Sequence, residues 1–193
     1  MAQRPSTDDP HAGCSAVDPP TALLVIDLQQ ALCEAAPAEG IQRTISRISD
    51  LLDWAEARSW TIVFIQHSTE PGTILERGSE GWQLAPALVG RQPSMLLEKD
   101  VLSCFADGQL HAALKENNIE RVCVTGMQTE FCISAACEGA VALGYSVLLP
   151  TDAHMTIDRP DKSATQIIRE TNDRLSSLAD CRAAASLLLS GNG

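Results

Sequence analysis

The sequence lacks the patterns that mark membrane proteins, disulfide-rich secreted proteins and zinc proteins. No apolar run approaches the roughly 18 residues of a membrane-spanning helix, and no charged-then-apolar signal segment opens the chain. The seven cysteines are odd in number, none stands in a CxxC pair, and no zinc-ligand spacing is present. We therefore expect a soluble, cytoplasmic protein whose thiols are reduced.

Basic residues are scarce relative to acidic ones. The chain has 14 lysines and arginines against 25 aspartates and glutamates, which gives a formal net charge of −11. Such a surface disfavours contact with phosphate backbones and anionic membranes. We therefore expect a small-molecule substrate, and neither a nucleic acid nor a membrane as partner.

Length and composition indicate the domain organisation. At 193 residues the chain has the size of one large domain with a full core, and it contains no internal repeat. Residues 1–20 are rich in proline and small polar residues without hydrophobic periodicity, so we expect a poorly ordered N-terminal arm. We expect residues 21–193 to form a single domain.

Continuous apolar runs alternate with helical patterns through this domain. Such runs are typical of strands that are buried on both faces of a parallel sheet. The predicted strands are residues 21–26, 61–65, 95–98, 121–125, 145–149 and, as a short sixth strand, 178–181. The alternation predicts an α/β fold, a doubly wound three-layer sandwich.

Three side chains with useful chemistry follow the first three predicted strands. Asp27, His67 and Lys99 stand at the carboxyl ends of those strands, where open α/β sheets bind their ligands. Each residue also has a purely structural interpretation. Asp27 can cap the next segment, His67 can be a hydrogen-bonded structural histidine, and Lys99 can be a solvated surface lysine.

A strand, a glycine turn and a helix start come together in residues 122–132. We predict that the strand ends at Thr125, that Thr129 caps the following helix, and that Cys132 lies in its first turn. The positive end of a helix favours thiolate over thiol and lowers a cysteine pKa, which makes Cys132 a candidate nucleophile. The alternative is a small buried residue that only packs there.

Three of these residues form a chemical set. Asp27 can accept the thiol proton of Cys132 as a general base and later return it, while Lys99 can hold the carboxylate charge and favour the thiolate. The N–H groups at the turn can bind the oxyanion that forms when the sulfur attacks a carbonyl carbon.

These residues resemble the isochorismatase-like cysteine hydrolases, a family that includes nicotinamidases, several amide and carbamoyl hydrolases, and isochorismatase itself. The resemblance covers roughly residues 21–190 and rests on LLVIDLQ at 23–29, EKDVLSCF at 98–105, VTGMQTEFC at 124–132 and LPTDA at 149–153. It implies an Asp27–Lys99–Cys132 triad on a six-stranded parallel sheet of order 3-2-1-4-5-6.

The resemblance also implies a mechanism. A cis peptide between Met127 and Gln128 would aim the N–H groups of Gln128 and Cys132 into an oxyanion hole. The Cys132 thiolate would attack an amide carbonyl, release an amine or ammonia, and form a thioester that is hydrolysed by water activated by Asp27. Relatives commonly assemble, so we expect a homo-oligomer, either a dimer or a tetramer.

One departure from the family pattern concerns metals. Nicotinamidases of this family hold a metal with an Asp-x-His motif and a further histidine after the second strand, whereas residues 65–67 here read Ile-Gln-His. We therefore expect no metal, no other cofactor and no nicotinamidase activity. The candidates for the substrate pocket are Gln29, His67, Trp82 and Phe131.

The resulting prediction is a cysteine hydrolase that cleaves an amide, lactam or carbamoyl C–N bond of a small molecule. Residues 68–93, which form a long connection rich in glycine, proline and charge, are expected to shape its pocket. Three alternatives stay open. They are a vinyl ether hydrolase of the isochorismate type that uses Asp27 and Lys99, a non-catalytic binding protein on the same fold, and a thiol redox protein, which the missing CxxC pair disfavours.

Overall fold

The computed structural model describes residues 18–190, so most of the predicted N-terminal arm, residues 1–17, lies outside the described part. The strands are β1 Thr21–Ile26, β2 Thr61–His67, β3 Met95–Lys99, β4 Arg121–Met127, β5 Ser146–Pro150, β6 His154–Met155 and β7 Asp180–Arg182. They form one parallel sheet of order β3-β2-β1-β4-β5-β7, with β6 paired to β4. The predicted sheet and strand order are confirmed, and β6 is an addition.

Helices cover both faces of this sheet. They are α1 Gln30–Ala35, α2 Ala38–Ala57, α3 Gln109–Glu116, α4 Ser134–Ala142, α5 Ala164–Leu175 and α6 Ala184–Ser190. Apolar side chains of α3 and α4 pack on one face, and those of α2 and α6 pack on the other. The predicted three-layer sandwich is therefore confirmed.

The central position of β1 explains its sequence. This strand pairs with β2 on one side and β4 on the other, and all six of its residues are buried. A strand covered on both faces takes a continuous apolar run rather than an alternating pattern. By contrast, α2 buries only one stripe, with its apolar buried residues at helical spacing: Ile41, Ile48, Leu51, Leu52 and Ala55.

The boundaries of some elements differ from the predicted ones. β2 continues through His67, which pairs in register with Lys99 of β3. The last strand begins at Asp180 instead of residue 178, and the short helix α1 was not predicted. No helix within residues 18–190 has the length and apolar character needed to cross a membrane.

Gly126 allows β4 to run close to β1 near its carboxyl end. Its φ of +114° lies in a region that L side chains rarely adopt. A Cβ atom at this position would lie 1.9 Å from the carbonyl oxygen of Ile26. Glycine is therefore required here for its backbone conformation and for the close approach of the two strands.

Candidate active site

Three strand ends bring a carboxylate, an ammonium group and a thiol together. Asp27 follows β1, Lys99 ends β3, and Cys132 lies in a π-helical turn, Thr129–Ile133, between β4 and α4. Lys99 Nζ lies 2.8 Å from Asp27 Oδ2 and 3.3 Å from Cys132 Sγ. The three residues singled out in the sequence therefore form one hydrogen-bonded group at the carboxyl edge of the sheet.

His67 joins this group from the end of β2. Its Nδ1 lies 3.2 Å from Lys99 Nζ, so the ammonium group has a partner for each of its three N–H bonds. Nδ1 must accept from the ammonium, which leaves the hydrogen of a neutral imidazole on Nε2. Burial and then the charge of Lys99 lower the pKa of His67, which agrees with a neutral ring.

Asp27 has an unusual backbone conformation and one unpaired oxygen. Its φ of +51° lies in the left-handed region, where aspartate is among the better tolerated residues. Oδ2 accepts a hydrogen bond from Lys99, whereas the buried Oδ1 has no hydrogen-bond partner within residues 18–190. One carboxylate oxygen is therefore available to accept a proton.

Burial governs the protonation of the carboxylate and the ammonium group. Burial raises the pKa of Asp27, and the charge of Lys99 opposes this rise. Burial also disfavours the ammonium form of Lys99, but the charge of Asp27 and the hydrogen bonds to Asp27 and Cys132 outweigh it and raise the Lys99 pKa. Lys99 therefore keeps its positive charge through the neutral pH range.

The predicted lowering of the Cys132 pKa is wrong. Burial and then the charge of Asp27 raise the pKa of Cys132 to about 12, against the opposite influence of Lys99. Cys132 also does not lie at a regular helix N-terminus, because the π-helical turn precedes α4. Cys132 is therefore a neutral thiol in this site, and a base would have to remove its proton to form a thiolate.

The prediction that Thr129 caps the helix is also wrong. The residue at the cap is Gln128, whose carbonyl oxygen accepts from the N–H of Phe131 at 3.1 Å and from that of Ile133 at 3.2 Å. The Thr129 hydroxyl instead lies 2.9 Å from Nδ1 of the buried His154. A partner 25 residues away is not visible in local sequence.

His154 and Asn172 extend this contact into the protein. His154 Nε2 lies 3.0 Å from Asn172 Oδ1, and Asn172 Nδ2 donates to the carbonyl oxygen of Thr151 at 3.1 Å. His154 therefore carries its hydrogen on Nε2 and accepts from the Thr129 hydroxyl at Nδ1. Because burial lowers the pKa of His154 to about 4, a neutral chain of hydrogen bonds anchors the turn that carries Cys132.

The peptide bond between Met127 and Gln128, which leads into this turn, is cis. The sequence resemblance implied such a bond at this position.

Comparison with known proteins identifies the family. The profile of the Isochorismatase domain matches residues 21–178. The chain belongs to the isochorismatase family.

Individual members of the family and of the fold resemble this chain over most of its length. A streptothricin hydrolase from Streptomyces noursei is 32% identical over 76% of this chain and 58% of that protein. The nicotinamidase of Escherichia coli K12 is 27% identical over 76% of this chain and 88% of that protein. A solved structure from Burkholderia xenovorans LB400, provisionally assigned as an isochorismatase, has a TM-score of 0.82 at 26% identity and covers 89% of this chain and 87% of that one.

The chain is shorter than the streptothricin hydrolases it matches. It spans 58% of the length of one and 51% of the length of another from the same organism.

Two of the predicted pocket residues of this isochorismatase-family chain hold the segment between β2 and β3. Gln29 is buried, and its Nε2 donates to the carbonyl oxygens of His67 at 3.0 Å and Trp82 at 2.8 Å. Its Oε1 accepts from the N–H of His67 at 2.8 Å, and the indole N–H of Trp82 donates to Ser68 Oγ at 2.9 Å. The polar atoms of both side chains thus fasten this segment beside the site, and their contact with substrate stays a prediction.

Phe131 is adjacent in sequence to Cys132, and a cavity reaches Lys99. Phe131 directly precedes Cys132 in the chain and is 42% exposed. A cavity of about 240 Å³ reaches Lys99. Its lining includes Arg77, Leu97, Asp100, Ser103, Cys104 and Asp107. The part of this lining that follows Lys99 was not among the predicted pocket residues, although its position directly after a strand end was an available signal.

Within the described residues, no group of three or more His, Cys, Asp or Glu side chains could hold a metal ion. Every cysteine in that part of the chain is a free thiol.

Proposed function

We propose that the protein is a cysteine hydrolase that cleaves an amide, lactam or carbamoyl C–N bond of a small molecule, with Cys132 as its nucleophile. The contact of Lys99 Nζ with both Asp27 and Cys132, at 2.8 and 3.3 Å, is the observation that carries this proposal. The names of two similar proteins, a streptothricin hydrolase and a nicotinamidase, support the same reaction class.

In the first step Cys132 becomes bonded to the substrate. Asp27 takes the thiol proton while the sulfur attacks the carbonyl carbon, so a free thiolate is not needed beforehand. The raised pKa of Asp27 makes its carboxylate a better proton acceptor than an exposed one. The carbonyl π electrons move to oxygen, and the N–H groups of Gln128 and Cys132 donate to the resulting oxyanion.

In the second step the C–N bond breaks. Protonated Asp27 gives its proton to the departing nitrogen, the amine or ammonia leaves, and a thioester on Cys132 remains. Asp27 then removes a proton from a water molecule whose oxygen attacks the thioester carbonyl. The C–S bond breaks, the sulfur regains that proton from Asp27, and the acid product leaves.

Lys99 stabilises the charge as it moves through this cycle. As Asp27 takes the thiol proton, the negative charge passes from the carboxylate through the attacking sulfur to the carbonyl oxygen of the substrate. The Lys99 ammonium contacts both protein groups and therefore interacts favourably with the carboxylate before the transfer and with the partial charge on sulfur during it. His67, as the third acceptor, orients the ammonium group between them.

We also propose that the protein forms a homo-oligomer, a dimer or a tetramer. Three exposed apolar side chains are close in sequence to Lys99 or Cys132, namely Val101 at 47%, Leu102 at 54% and Phe131 at 42% exposure. Burial of such side chains between copies would favour assembly. Sedimentation velocity over a range of protein concentrations tests this, and a monomer at every concentration would contradict it.

The main experiment assays amine or ammonia release from a panel of small amides, lactams and carbamoyl compounds. The wild type is compared with Cys132→Ala and with Cys123→Ala, which removes a buried thiol from β4 as a matched control. We expect release by the wild type and Cys123→Ala but not by Cys132→Ala. Mass spectrometry of the wild type during turnover should detect an acyl adduct on the Cys132 peptide.

Two other outcomes would replace the proposal. Hydrolysis of an isochorismate-like vinyl ether by both the wild type and Cys132→Ala would favour the alternative that needs only Asp27 and Lys99. Ligand binding without turnover, with equal affinity in Asp27→Asn and Cys132→Ala, would favour a non-catalytic binding protein.

A further inference from the structure

Arg159, in the segment between β6 and α5, contacts the turn that carries Cys132. Its Nη2 lies 2.7 Å from Glu130 Oε1 and 3.1 Å from Gln128 Oε1, and its Nε lies 3.2 Å from Glu130 Oε1. The guanidinium carbon lies 5.2 Å from the centre of the Phe131 ring. One side chain therefore contacts three of the four residues that directly precede Cys132.

The surroundings of Arg159 hold this contact in place. The second oxygen of Glu130, Oε2, accepts from the Thr156 hydroxyl at 2.5 Å, so both carboxylate oxygens are bonded to the same downstream segment. That segment is tied to the start of α5, because Asp158 Oδ1 accepts from the N–H of Ala164 at 2.7 Å. The guanidinium group thus connects the turn that carries Cys132 to the segment that leads into α5.

We propose that Arg159 is a positioning residue, which acts through Gln128 and Glu130 to hold the Cys132 thiol and the N–H groups of the turn in their reactive arrangement. This inference rests on the proposed function. A guanidinium group suits the role because its planar set of N–H donors can bond a carboxylate and an amide oxygen in one fixed geometry. A lysine ammonium has no such planar set.

The contacts indicate that Arg159 acts through geometry and not through its charge. Glu130 pairs with the guanidinium group at 2.7 Å and balances its charge. The pKa of Cys132 is governed by burial, Asp27 and Lys99. Loss of Arg159 should therefore displace the turn while the protonation of the catalytic group stays the same.

The first test compares steady-state kinetics of the wild type, Arg159→Gln and Arg159→Lys. Displacement of a reacting group by about 1 Å can reduce a rate by roughly 100-fold, so we expect kcat of Arg159→Gln to fall by roughly 10- to 100-fold. The KM of Arg159→Gln should change by less than about threefold. The kcat of Arg159→Lys should lie between those of the wild type and Arg159→Gln. The pH at which kcat/KM falls on the acid side should be unchanged, because Asp27 is untouched.

The second test needs no substrate. Peptide-resolved alkylation by iodoacetamide measures the reactivity of Cys132 in each variant, and we expect Arg159→Gln to react at least about fivefold more slowly than the wild type. Arg91→Gln is the matched control: like Arg159, Arg91 bonds two side chains, in its case the carboxylates of Asp53 and Glu56, and its side chain is 24% exposed against 34% for Arg159. Arg91→Gln should behave as the wild type.

The two tests separate this inference from the proposed function. If the wild type cleaves no amide, the proposed function fails while the alkylation rates still report on the turn. Equal alkylation rates and equal kcat in Arg159→Gln and Arg91→Gln would overturn the positioning role, as would a shift of the acid limb without loss of maximal rate. If Arg159→Gln does not fold, Arg159→Lys provides the comparison, and wild-type rates in that variant would overturn the role.

Discussion

Two buried cysteines, close in sequence, differ in their neighbours rather than in their burial. Cys123 lies within β4 and Cys132 in the turn after it, and the pKa of each is raised to about 12, mainly by burial. Cys123 packs in the apolar core beneath α2 and α6. Cys132 lies 3.3 Å from Lys99 Nζ and interacts with the Asp27 carboxylate. The raised pKa is therefore common to both cysteines, and what distinguishes Cys132 from Cys123 is the ammonium group and the carboxylate beside it.

The difference follows from position along the strand. Side chains in the middle of β4 face the helical layers, so a cysteine there is surrounded by apolar groups. Past Met127 the chain leaves the sheet at the edge where β1, β2 and β3 also end, and each of those ends carries a charged or polar side chain. The strand interior thus yields a packed thiol, and the strand end yields a thiol with chemical partners.

The largest expected effect is the fall in activity when Cys132 is replaced. We predict that Cys132→Ala lowers kcat/KM for an amide substrate by about 10⁴-fold or more, because the covalent step is lost. Cys123→Ala should stay within about threefold of the wild type and lose about 1 kcal/mol of stability. Amine-release assays measure the activities, and urea denaturation measures the stability. Equal activities of Cys132→Ala and Cys123→Ala would contradict the different roles given to the two cysteines.

Replacement of the base should have the next largest effect. Asp27→Asn keeps the size of the side chain but cannot accept the thiol proton, so we predict a fall in kcat of about 10² to 10⁴-fold. In the wild type, kcat/KM should rise with pH as Asp27 loses its proton. Because burial raises this pKa above its ordinary value of 3.8, the acid limb should lie above pH 3.8. A pH–rate profile that is the same in Asp27→Asn would contradict the assignment.

Removal of Lys99 tests how much the buried pair of Lys99 and Asp27 contributes to stability. The Lys99 and Asp27 side chains are only 6% and 2% exposed, so Lys99→Ala leaves a buried carboxylate without its partner. We predict a loss of about 4 kcal/mol in the free energy of unfolding at pH 7. Lys115→Ala, which removes an exposed lysine from α3, should change stability by less than about 0.5 kcal/mol.

A second variant sharpens this result. The double substitution Asp27→Asn with Lys99→Met removes both charges and should recover most of the lost stability. Similar instability of the single and double variants in urea denaturation would show that packing, and not the unpaired charge, is responsible.

The smallest effect concerns the buried histidine behind the turn. The folded-state pKa of His154 is about 4 and its ordinary value is 6.5, so the unfolded chain binds a proton in this interval and the folded chain does not. Stability from this group is therefore complete above pH 6.5 and is lost as the pH falls towards 4, by about 3 kcal/mol in total. In urea denaturation at pH 7 and pH 4.5, His154→Gln should lack this part of the pH dependence. An unchanged difference between the two pH values would contradict a neutral buried ring.

The central strands and the proximity of Asp27, Lys99 and Cys132 were accessible from sequence for simple reasons. A strand covered on both faces must be continuously apolar, and Asp27 and Lys99 stand directly where such runs stop. Cys132 follows Gly126, which both the backbone conformation and the close approach of β4 to β1 require to be glycine. These are local signals, and parallel strand ends meet in space whatever the details of the loops.

Features that depend on contacts between distant residues were not accessible. The hydroxyl of Thr129 matches the local pattern of a helix cap, but a histidine from β6 binds it and the turn becomes π-helical. The pKa of Cys132 depends on how deeply the thiol is buried and on its distance from Asp27, which no helix pattern reveals. Arg159 contacts Glu130 across 29 residues of chain, and nothing in its own neighbourhood marks it.

The central claim is that Asp27 makes the buried thiol of Cys132 reactive. The most direct measurement is peptide-resolved labelling with limiting iodoacetamide between pH 5 and pH 9, in the wild type and in Asp27→Asn. The account predicts that Cys132 is labelled before the other cysteines at neutral pH, and that Asp27→Asn removes this advantage. Labelling of Cys132 no faster than that of Cys123, or a wild-type rate in Asp27→Asn, would contradict it.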